Sequence, residues 1–90
     1  MFIVVAYDVV ADRRRTRLHK QLKGFGTAVQ YSVFECLLDE RQLKEMQALV
    51  SKTIDKKQDS VRYYQLCETC RGKITAINGP LTTVETTVIV

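Results

Sequence analysis

The spacing of hydrophobic residues predicts a strand and then a helix in the first third of the chain. Residues 2–7 read FIVVAY, a nearly continuous apolar and β-branched run that is typical of a central strand covered on both faces. Leu18, Leu22 and Phe25 then recur at intervals of four and three residues, so they form one apolar stripe on a helix. Asp12 is the candidate N-cap of this helix, and the two glycines of the GFG sequence end it.

The middle of the chain predicts extended structure followed by a second helix. Residues 28–38 read AVQYSVFECLL, which favours extended structure, although no point of reversal is visible within it. Asp39 and Gln42 have the spacing of a capping box. The apolar stripe that follows consists of Leu43, Met46, Val50 and Ile54.

The last third predicts more extended structure, interrupted by turns. Residues 61–67 read as a strand, a turn at residues 71–72 leads to a further extended piece at 73–77, and Asn-Gly-Pro at 78–80 breaks the chain. Residues 84–90 form a final extended segment that is rich in valine and threonine.

Together these elements predict a ferredoxin-like α/β sandwich, in which a single sheet carries both helices on one face. We expect residues 1–78 to form this domain and residues 79–90 to form a C-terminal extension. The other face of the sheet then needs cover, and the C-terminal segment could add a strand to the exposed edge of another chain. A two-fold homodimer is the expected assembly.

Composition favours a polyanionic partner without requiring one. The chain has 90 residues, a formal net charge of +4 and a sequence pI of about 9.1. Three cysteines, an odd number, argue against a disulfide framework and fit a reducing compartment. The apolar residues at the start are too few for a signal-peptide core or a membrane span. We therefore expect a cytoplasmic protein.

Asp8 is the strongest candidate for a catalytic or metal-binding residue. It comes directly after the apolar run of a central strand, at the carboxyl end, where α/β folds usually place their functional sites. One interpretation is a turn or capping aspartate. The other is a metal ligand, since Mg²⁺ takes only one or two protein carboxylates besides water and substrate phosphates. A two-fold dimer would supply a second Asp8. Such a pair could hold an ion that polarises a phosphodiester and generates a hydroxide nucleophile.

Four arginines follow, and their positions on the predicted helix differ. Arg15 continues the core-facing stripe close to the strand end that carries Asp8, and Arg14 borders that stripe. Arg13 and Arg17 project further toward solvent, where guanidinium groups suit phosphate contacts. They are either a solvated helix face or a surface that tracks a nucleic-acid backbone.

Other residues that could take part in catalysis or binding give weaker evidence of function. His19 has no nearby cysteine or serine that would make a recognisable triad. Cys67 and Cys70 have redox or zinc spacing, but with Cys36 they fall short of four zinc ligands. The chain lacks the GxGxxG, GxxxxGK[ST], GxSxG and HExxH motifs, which argues against nucleotide hydrolysis and against serine or zinc peptidase chemistry. Aromatic residues that could stack on bases or fill the core are Tyr31, Phe34, Tyr63 and Tyr64.

Four ordered segments carry a resemblance to a known family. They are YDV at 7–9, RRRTRLHKQL at 13–22, GFGTAVQYSVFEC at 24–36 and DSVRYYQLC at 59–67. In this set the chain resembles the small CRISPR-associated Cas2 family over essentially its whole length. The resemblance implies a βαββαβ core, so residues 30–38 and their flank must supply two strands. It also implies a dimer whose C-terminal strand pairs with the partner's sheet.

The resemblance further implies a role in the spacer acquisition of CRISPR antiviral defence. Members bridge two dimers of the CRISPR integrase, Cas1, and hold the protospacer duplex. Some are endonucleases that use Mg²⁺ or Mn²⁺ on single-stranded RNA or duplex DNA. The family's metal-binding acid matches Asp8, with Tyr7 beside it at the catalytic position. Its helix arginines match Arg15 and Arg17, and the phenylalanine of SVFE matches Phe34.

One departure from the family pattern keeps two functions open. Members often carry an arginine just before the VQ pair, where this chain has Ala28. The first hypothesis is a metal-dependent endonuclease subunit in which Asp8 holds the metal and Tyr7 and Phe34 shape the pocket. The second is a catalytically silent adaptor that positions DNA and integrase. A third is a toxin-type RNA nuclease of similar fold, which would cut RNA without binding integrase.

Overall fold

The fold of the chain, given by a computed structural model that describes residues 1–79, is a four-stranded antiparallel sheet with two main helices. In chain order the elements are β1 (Phe2–Asp8), α1 (Asp12–Leu22), β2 (Gly26–Gln30), β3 (Val33–Leu37), α2 (Glu40–Thr53), β4 (Ser60–Leu66) and the short α3 (Glu68–Arg71). The strands are ordered β2-β3-β1-β4. This confirms the ferredoxin-like βαββαβ sandwich. The predicted strand at 84–90 lies outside the described residues.

The two helix starts differ from each other in how they are capped. At α2, Gln42 N donates to Asp39 Oδ1 over 2.8 Å and Asp39 N donates to Gln42 Oε1 over 3.0 Å, so the predicted capping box is confirmed. At α1 the predicted cap was wrong. Ala11 is the extended N-cap residue, and Asp12 is the first helical residue. Its carboxylate pairs with Arg15 in the same turn, where a negative charge also suits the helix dipole.

The extended region at 28–38 is a hairpin. β2 and β3 pair antiparallel and reverse at Tyr31 and Ser32, with a register shift between Ala28 and Gln30. No glycine, proline, asparagine or aspartate stands at this reversal, and Ser32 is its single residue of a type common in turns, so the turn signal in the sequence is weak.

The core lies between the helices and one face of the sheet. Alternate residues of β1 and β3 point toward the helices, and both predicted helical stripes pack against them. The fully or almost fully buried set from these elements comprises Ile3, Val5, Tyr7, Leu18, Leu22, Phe34, Cys36, Met46 and Val50. Within residues 1–79, no helix is long and apolar enough to cross a membrane.

Gly26 marks the closest approach of β2 to β3. A Cβ built at Gly26 would stand 2.4 Å from the Glu35 carbonyl oxygen and 2.5 Å from Cys36 Sγ. We therefore expect Gly26→Ala to lower the free energy of unfolding by about 1–3 kcal/mol, the usual cost of overpacking. Gly24→Ala is the matched control, because its Cβ would meet nothing nearer than 3.4 Å. Urea unfolding of the two variants gives the comparison, and equal stabilities would contradict this steric account.

The chain after β4 differs from the prediction. Residues 73–77 were expected to be extended, but α3 occupies 68–71 and the described residues from 74 onward are irregular. The prediction of a strand at 73–77 was wrong. α3 begins where the Cys67 thiol caps a helical turn, accepting a hydrogen bond from Cys70 N at 3.4 Å. The Arg71 guanidinium then lies 5.1 Å from the centre of the Phe2 ring. α3 thus covers one end of the sheet face that carries no main helix.

Residues 1–79 cover the rest of this helix-free face incompletely. Residues 74–79 line a cavity of about 290 Å³ together with Val33 and Glu35 of β3 and the end of β2. Apolar side chains of the same face remain half-buried at Val4, Ala6, Val33, Leu37 and Leu66.

Candidate nucleic-acid interface

Asp8 ends β1 with its carboxylate in solvent. It pairs across the sheet with Ser60 of β4, and its side chain has no hydrogen bond or ion pair within residues 1–79. Among those residues no three histidine, cysteine or acidic side chains are grouped as a metal site. One exposed carboxylate fits the role of a single Mg²⁺ ligand, since this ion keeps several waters and substrate oxygens.

Tyr7 points to the opposite face of the sheet from Asp8, because side chains alternate along a strand. Its ring is 5% exposed, and its hydroxyl forms a hydrogen bond of 3.3 Å with His19 Nδ1. Burial raises the pKa of Tyr7, with a further contribution from Tyr31 and opposition from Arg15. The hydroxyl therefore stays protonated at neutral pH. The structure does not bring Tyr7 and Asp8 together, and catalysis by Tyr7 stays a prediction.

Phe34 lies in the core beneath α1. Its ring is fully buried and contacts Tyr7, with centroids 6.4 Å apart, and His19, with centroids 5.1 Å apart in an edge-on arrangement. The ring has no surface on which a base could stack. The structure therefore gives Phe34 a packing role under the helix, and its predicted role in shaping a nucleic-acid pocket stays a prediction.

Arg14 is held by a buried carboxylate. Its Nε donates to Asp59 Oδ2 over 2.8 Å, and a second guanidinium nitrogen donates to Oδ1 over 3.2 Å. Asp59 also accepts from the backbone N–H groups of Val10, at 3.0 Å, and Asp55, at 2.8 Å. The hydrogen bond from Arg14 is the main cause that holds the pKa of Asp59 well below its usual range. Arg14 thus ties α1 to the start of β4, and sequence reasoning missed Asp59 as its partner.

Arg15 occupies the position expected for it, half-buried at the first turn of α1 and next to the loop that follows Asp8. One of its guanidinium nitrogens donates to the Val9 carbonyl oxygen over 2.8 Å, and another pairs with Asp12. Arg15 therefore connects the end of β1 to α1. It also lines a cleft on the surface between α1 and the end of β2.

The exposed face of α1 and the residue that follows it carry four cations that have no carboxylate partner within residues 1–79. Arg13, Arg17, Lys20 and Lys23 are exposed, and none forms an ion pair with a residue in the range 1–79. The first three follow one another at spacings of four and three, so they share one side of the helix. We call Arg13, Arg17, Lys20 and Lys23 the α1 cations. The lysines were missed as site residues, although this spacing could have revealed them.

A cleft beside the α1 cations extends this basic surface toward β2. Its volume is about 410 Å³, and no aspartate or glutamate lines it. The lining residues are Tyr7, Arg15, Thr16, His19, Lys20, Lys23, Gln30 and Tyr31. Tyr31 is 82% exposed at the hairpin turn, so its ring is open to a planar partner. The other two tyrosines that could stack on bases lie elsewhere. Tyr63 packs against the core, and Tyr64 is exposed on the helix-free face.

Three known proteins are similar to this chain. A CRISPR-associated endoribonuclease Cas2 of Chloroflexus aurantiacus is 44% identical over 87 residues, which cover 97% of this chain and 94% of the relative. A CRISPR-associated endonuclease Cas2 of Thermus thermophilus is 41% identical over 78 residues, covering 86% and 82%. The crystal structure of Streptococcus pyogenes Cas2 superimposes with a TM-score of 0.78 at 28% identity, covering 87% of this chain and all of that one.

The family-level match covers most of the chain. The family model described as CRISPR associated protein Cas2 matches residues 1–74, which include the whole sheet, α1, α2 and Asp8. With an antiparallel βαββαβ fold and relatives above 40% identity over more than four fifths of its length, the chain belongs to the Cas2 family of CRISPR-associated proteins.

Proposed function

We propose that this protein is a dimeric nucleic-acid-binding subunit of CRISPR spacer acquisition that cleaves phosphodiester bonds with a divalent metal ion held by Asp8. The observation that carries the proposal is the row of α1 cations, which have no carboxylate partner among the described residues and adjoin a cleft without acidic lining. The names of the two similar proteins, endoribonuclease and endonuclease, support cleavage of nucleic acid.

The α1 cations suit a phosphate backbone for an electrostatic reason. Cations that already pair with carboxylates gain little from a phosphate, since one favourable interaction replaces another. Unpaired cations bind phosphates and release the counterions condensed on the nucleic acid, which favours association. Such contacts read no bases, so this surface fits both RNA and DNA.

Asp8 supplies one metal ligand per chain, and a two-fold dimer would bring two copies toward one ion. Bound Mg²⁺ or Mn²⁺ would polarise the scissile phosphate and lower the pKa of a coordinated water. The exposed carboxylate of Asp8 would hold the ion, while Arg15 fixes the loop that follows Asp8 by its bond to Val9. The half-buried apolar side chains of the helix-free face give such a dimer a surface to bury.

The role of the α1 cations predicts a loss of salt-dependent binding. We expect replacement of all four by glutamine to weaken binding of a 20-nucleotide RNA by at least about 100-fold at low salt. The slope of log K against log salt should fall by about 0.7 for each lost phosphate contact on a single strand. Fluorescence anisotropy at four salt concentrations measures both quantities.

The matched control removes the same number of charges elsewhere. Arg41, Lys44, Lys52 and Lys56 are exposed on or just after α2, and their replacement by glutamine changes the net charge equally. We expect this control to retain most of the affinity and slope. Equal losses in the two quadruple variants would mean that net charge alone, and not the α1 surface, binds the RNA.

One residue, Ala28, favours a second function, that of an adaptor that does not cut nucleic acid. Ala28 lies on β2. The resemblance to the family, whose members often carry an arginine just before the VQ pair, implies that an arginine near the active site is replaced here by alanine. In this alternative the dimer bridges copies of the integrase Cas1 and positions DNA without cutting it. Both functions use the α1 cations, and a cleavage assay distinguishes them.

A further inference from the structure

Two thiols on the surface of the molecule have no part in the proposed function. Cys67 is the N-cap residue of the single-turn helix α3, and Cys70 lies within that turn. Both are exposed. The Cys67 side chain reaches back over this turn to Cys70, because Cys67 Sγ accepts a hydrogen bond from the backbone N–H of Cys70 at 3.4 Å. A thiol pair in this position is open to reagents from solvent.

The two thiols have unequal acidity. The hydrogen bond from the Cys70 backbone, followed by an interaction with the Cys70 thiol, lowers the pKa of Cys67. The interaction with Cys67 raises the pKa of Cys70. One member of the pair is thus the better nucleophile near neutral pH, and its neighbour holds the proton.

The third cysteine provides a contrast within the same chain. Cys36 is fully buried in β3, and burial raises its pKa to about 11. A thiol that is both inaccessible and protonated does not react at neutral pH. Thiol oxidation in the folded chain therefore falls on the exposed pair.

We propose that Cys67 and Cys70 are a reversible redox site that closes to an intramolecular disulfide by exchange with a low-molecular-weight disulfide such as oxidised glutathione. The Cys67 thiolate attacks one glutathione sulfur, so the glutathione S–S bond breaks and one glutathione thiolate leaves. The Cys70 thiol then loses its proton and attacks Cys67 Sγ, which releases the second glutathione. The protein pair is oxidised by two electrons, and one glutathione disulfide is reduced to two thiols.

The geometry of the turn suits this closure. Residues three apart on a helical turn carry Cβ atoms about 5–6 Å apart, and a disulfide needs about 3.5–4.5 Å. Cys67 is an extended N-cap residue rather than a helical one, so rotation at this position can supply the remaining approach. Closure changes the hydrogen bond that now starts α3.

The position of the pair gives the disulfide a structural consequence. α3 carries Arg71 against the Phe2 ring and leads into residues 74–79, which lie along the end of β2 and part of β3. Oxidation would therefore fix the turn that directs the chain across the helix-free face. The redox state of the surroundings would act on this segment and not on the α1 cations.

Thiol counting on the native protein tests the proposal without any nucleic acid. The chain is equilibrated anaerobically in glutathione buffers from fully reduced to fully oxidised, quenched with acid, alkylated and weighed by mass spectrometry. We expect wild type to lose two of its three alkylatable thiols, with a mass fall of about 2 Da before alkylation and no retained glutathione. Cys36→Ala should behave identically. Cys70→Ser should instead keep a stable glutathione adduct on Cys67.

Three results would overturn the proposal. Retention of all three thiols in oxidised buffer would show that the pair does not close. A lasting glutathione adduct on wild type would show that Cys70 does not resolve it. A disulfide between two chains, seen on a non-reducing gel, would show that each thiol reacts with another molecule instead of with its neighbour.

Discussion

Asp8→Asn is expected to slow metal-dependent cleavage at least about 100-fold. Mutation of a residue that only hydrogen-bonds a metal ligand already lowers metal affinity or activity by about 10–100-fold, and Asp8 is proposed as a ligand itself. The amide keeps the shape of the side chain but lacks the negative charge that attracts a divalent ion. The fold should be unchanged, because the Asp8 side chain is exposed and has no hydrogen bond or ion pair with another described residue.

The measurement is the cleavage rate of labelled single-stranded RNA and duplex DNA with Mg²⁺ and with EDTA. Glu45→Gln is the matched control, because it removes one exposed carboxylate on α2 and should cut like wild type. Gel filtration checks that all proteins have the same assembly state. Equal cleavage by Asp8→Asn and wild type would remove Asp8 from the chemistry, and absence of cleavage by wild type would favour the adaptor function.

Asp59→Asn is expected to lower the melting temperature by about 10 °C or more at neutral pH. The Asp59 side chain has no solvent exposure and accepts hydrogen bonds from Arg14, Val10 and Asp55. An asparagine loses the charge opposite Arg14 and turns an N–H₂ group toward donors, which leaves buried polar groups unsatisfied. Glu45→Gln again provides the control for loss of a surface carboxylate and should melt like wild type.

The Asp59 effect should also depend on pH with a definite sign. The folded-state pKa of Asp59 is depressed below the ordinary value of 3.8, chiefly by Arg14. Its contribution to stability is therefore fully present above that value and is lost as pH falls toward the folded pKa. Urea unfolding at pH 7, 5, 4 and 3 measures the free energy of unfolding of wild type and of Asp59→Asn. The difference between the two should become smaller below about pH 4. A gap that stays constant down to pH 3 would contradict the Asp59–Arg14 account.

Local periodicity was sufficient to predict the main framework. The stripes through Leu18 and Leu22 and through Met46 and Val50 are buried as expected, since a helix must place residues three and four apart on one side. The Asp39–Gln42 capping box was equally visible, because both of its hydrogen bonds join residues three apart. Interactions within one turn of a helix leave a pattern that one sequence can show.

Contacts between distant parts of the chain left no such pattern. Arg14 and Asp59 are 45 positions apart, so nothing in the sequence indicated that Asp59 is the partner of Arg14. Phe34 matched a family position but lies under α1, which could be learned only from how the helix packs on the sheet. α3 depends on the hydrogen bond between the Cys70 N–H and the Cys67 thiol, a cap that is not among the usual residue types.

Equilibrium binding of uncut RNA in EDTA tests the central claim most directly, namely that the α1 cations, and not Asp8, bind the nucleic acid. Wild type, Asp8→Asn and the quadruple variant of the α1 cations are compared at one salt concentration. The account predicts that Asp8→Asn binds within about threefold of wild type while the α1 variant loses at least about 100-fold. Tight binding by the α1 variant, or loss of binding by Asp8→Asn alone, would contradict it.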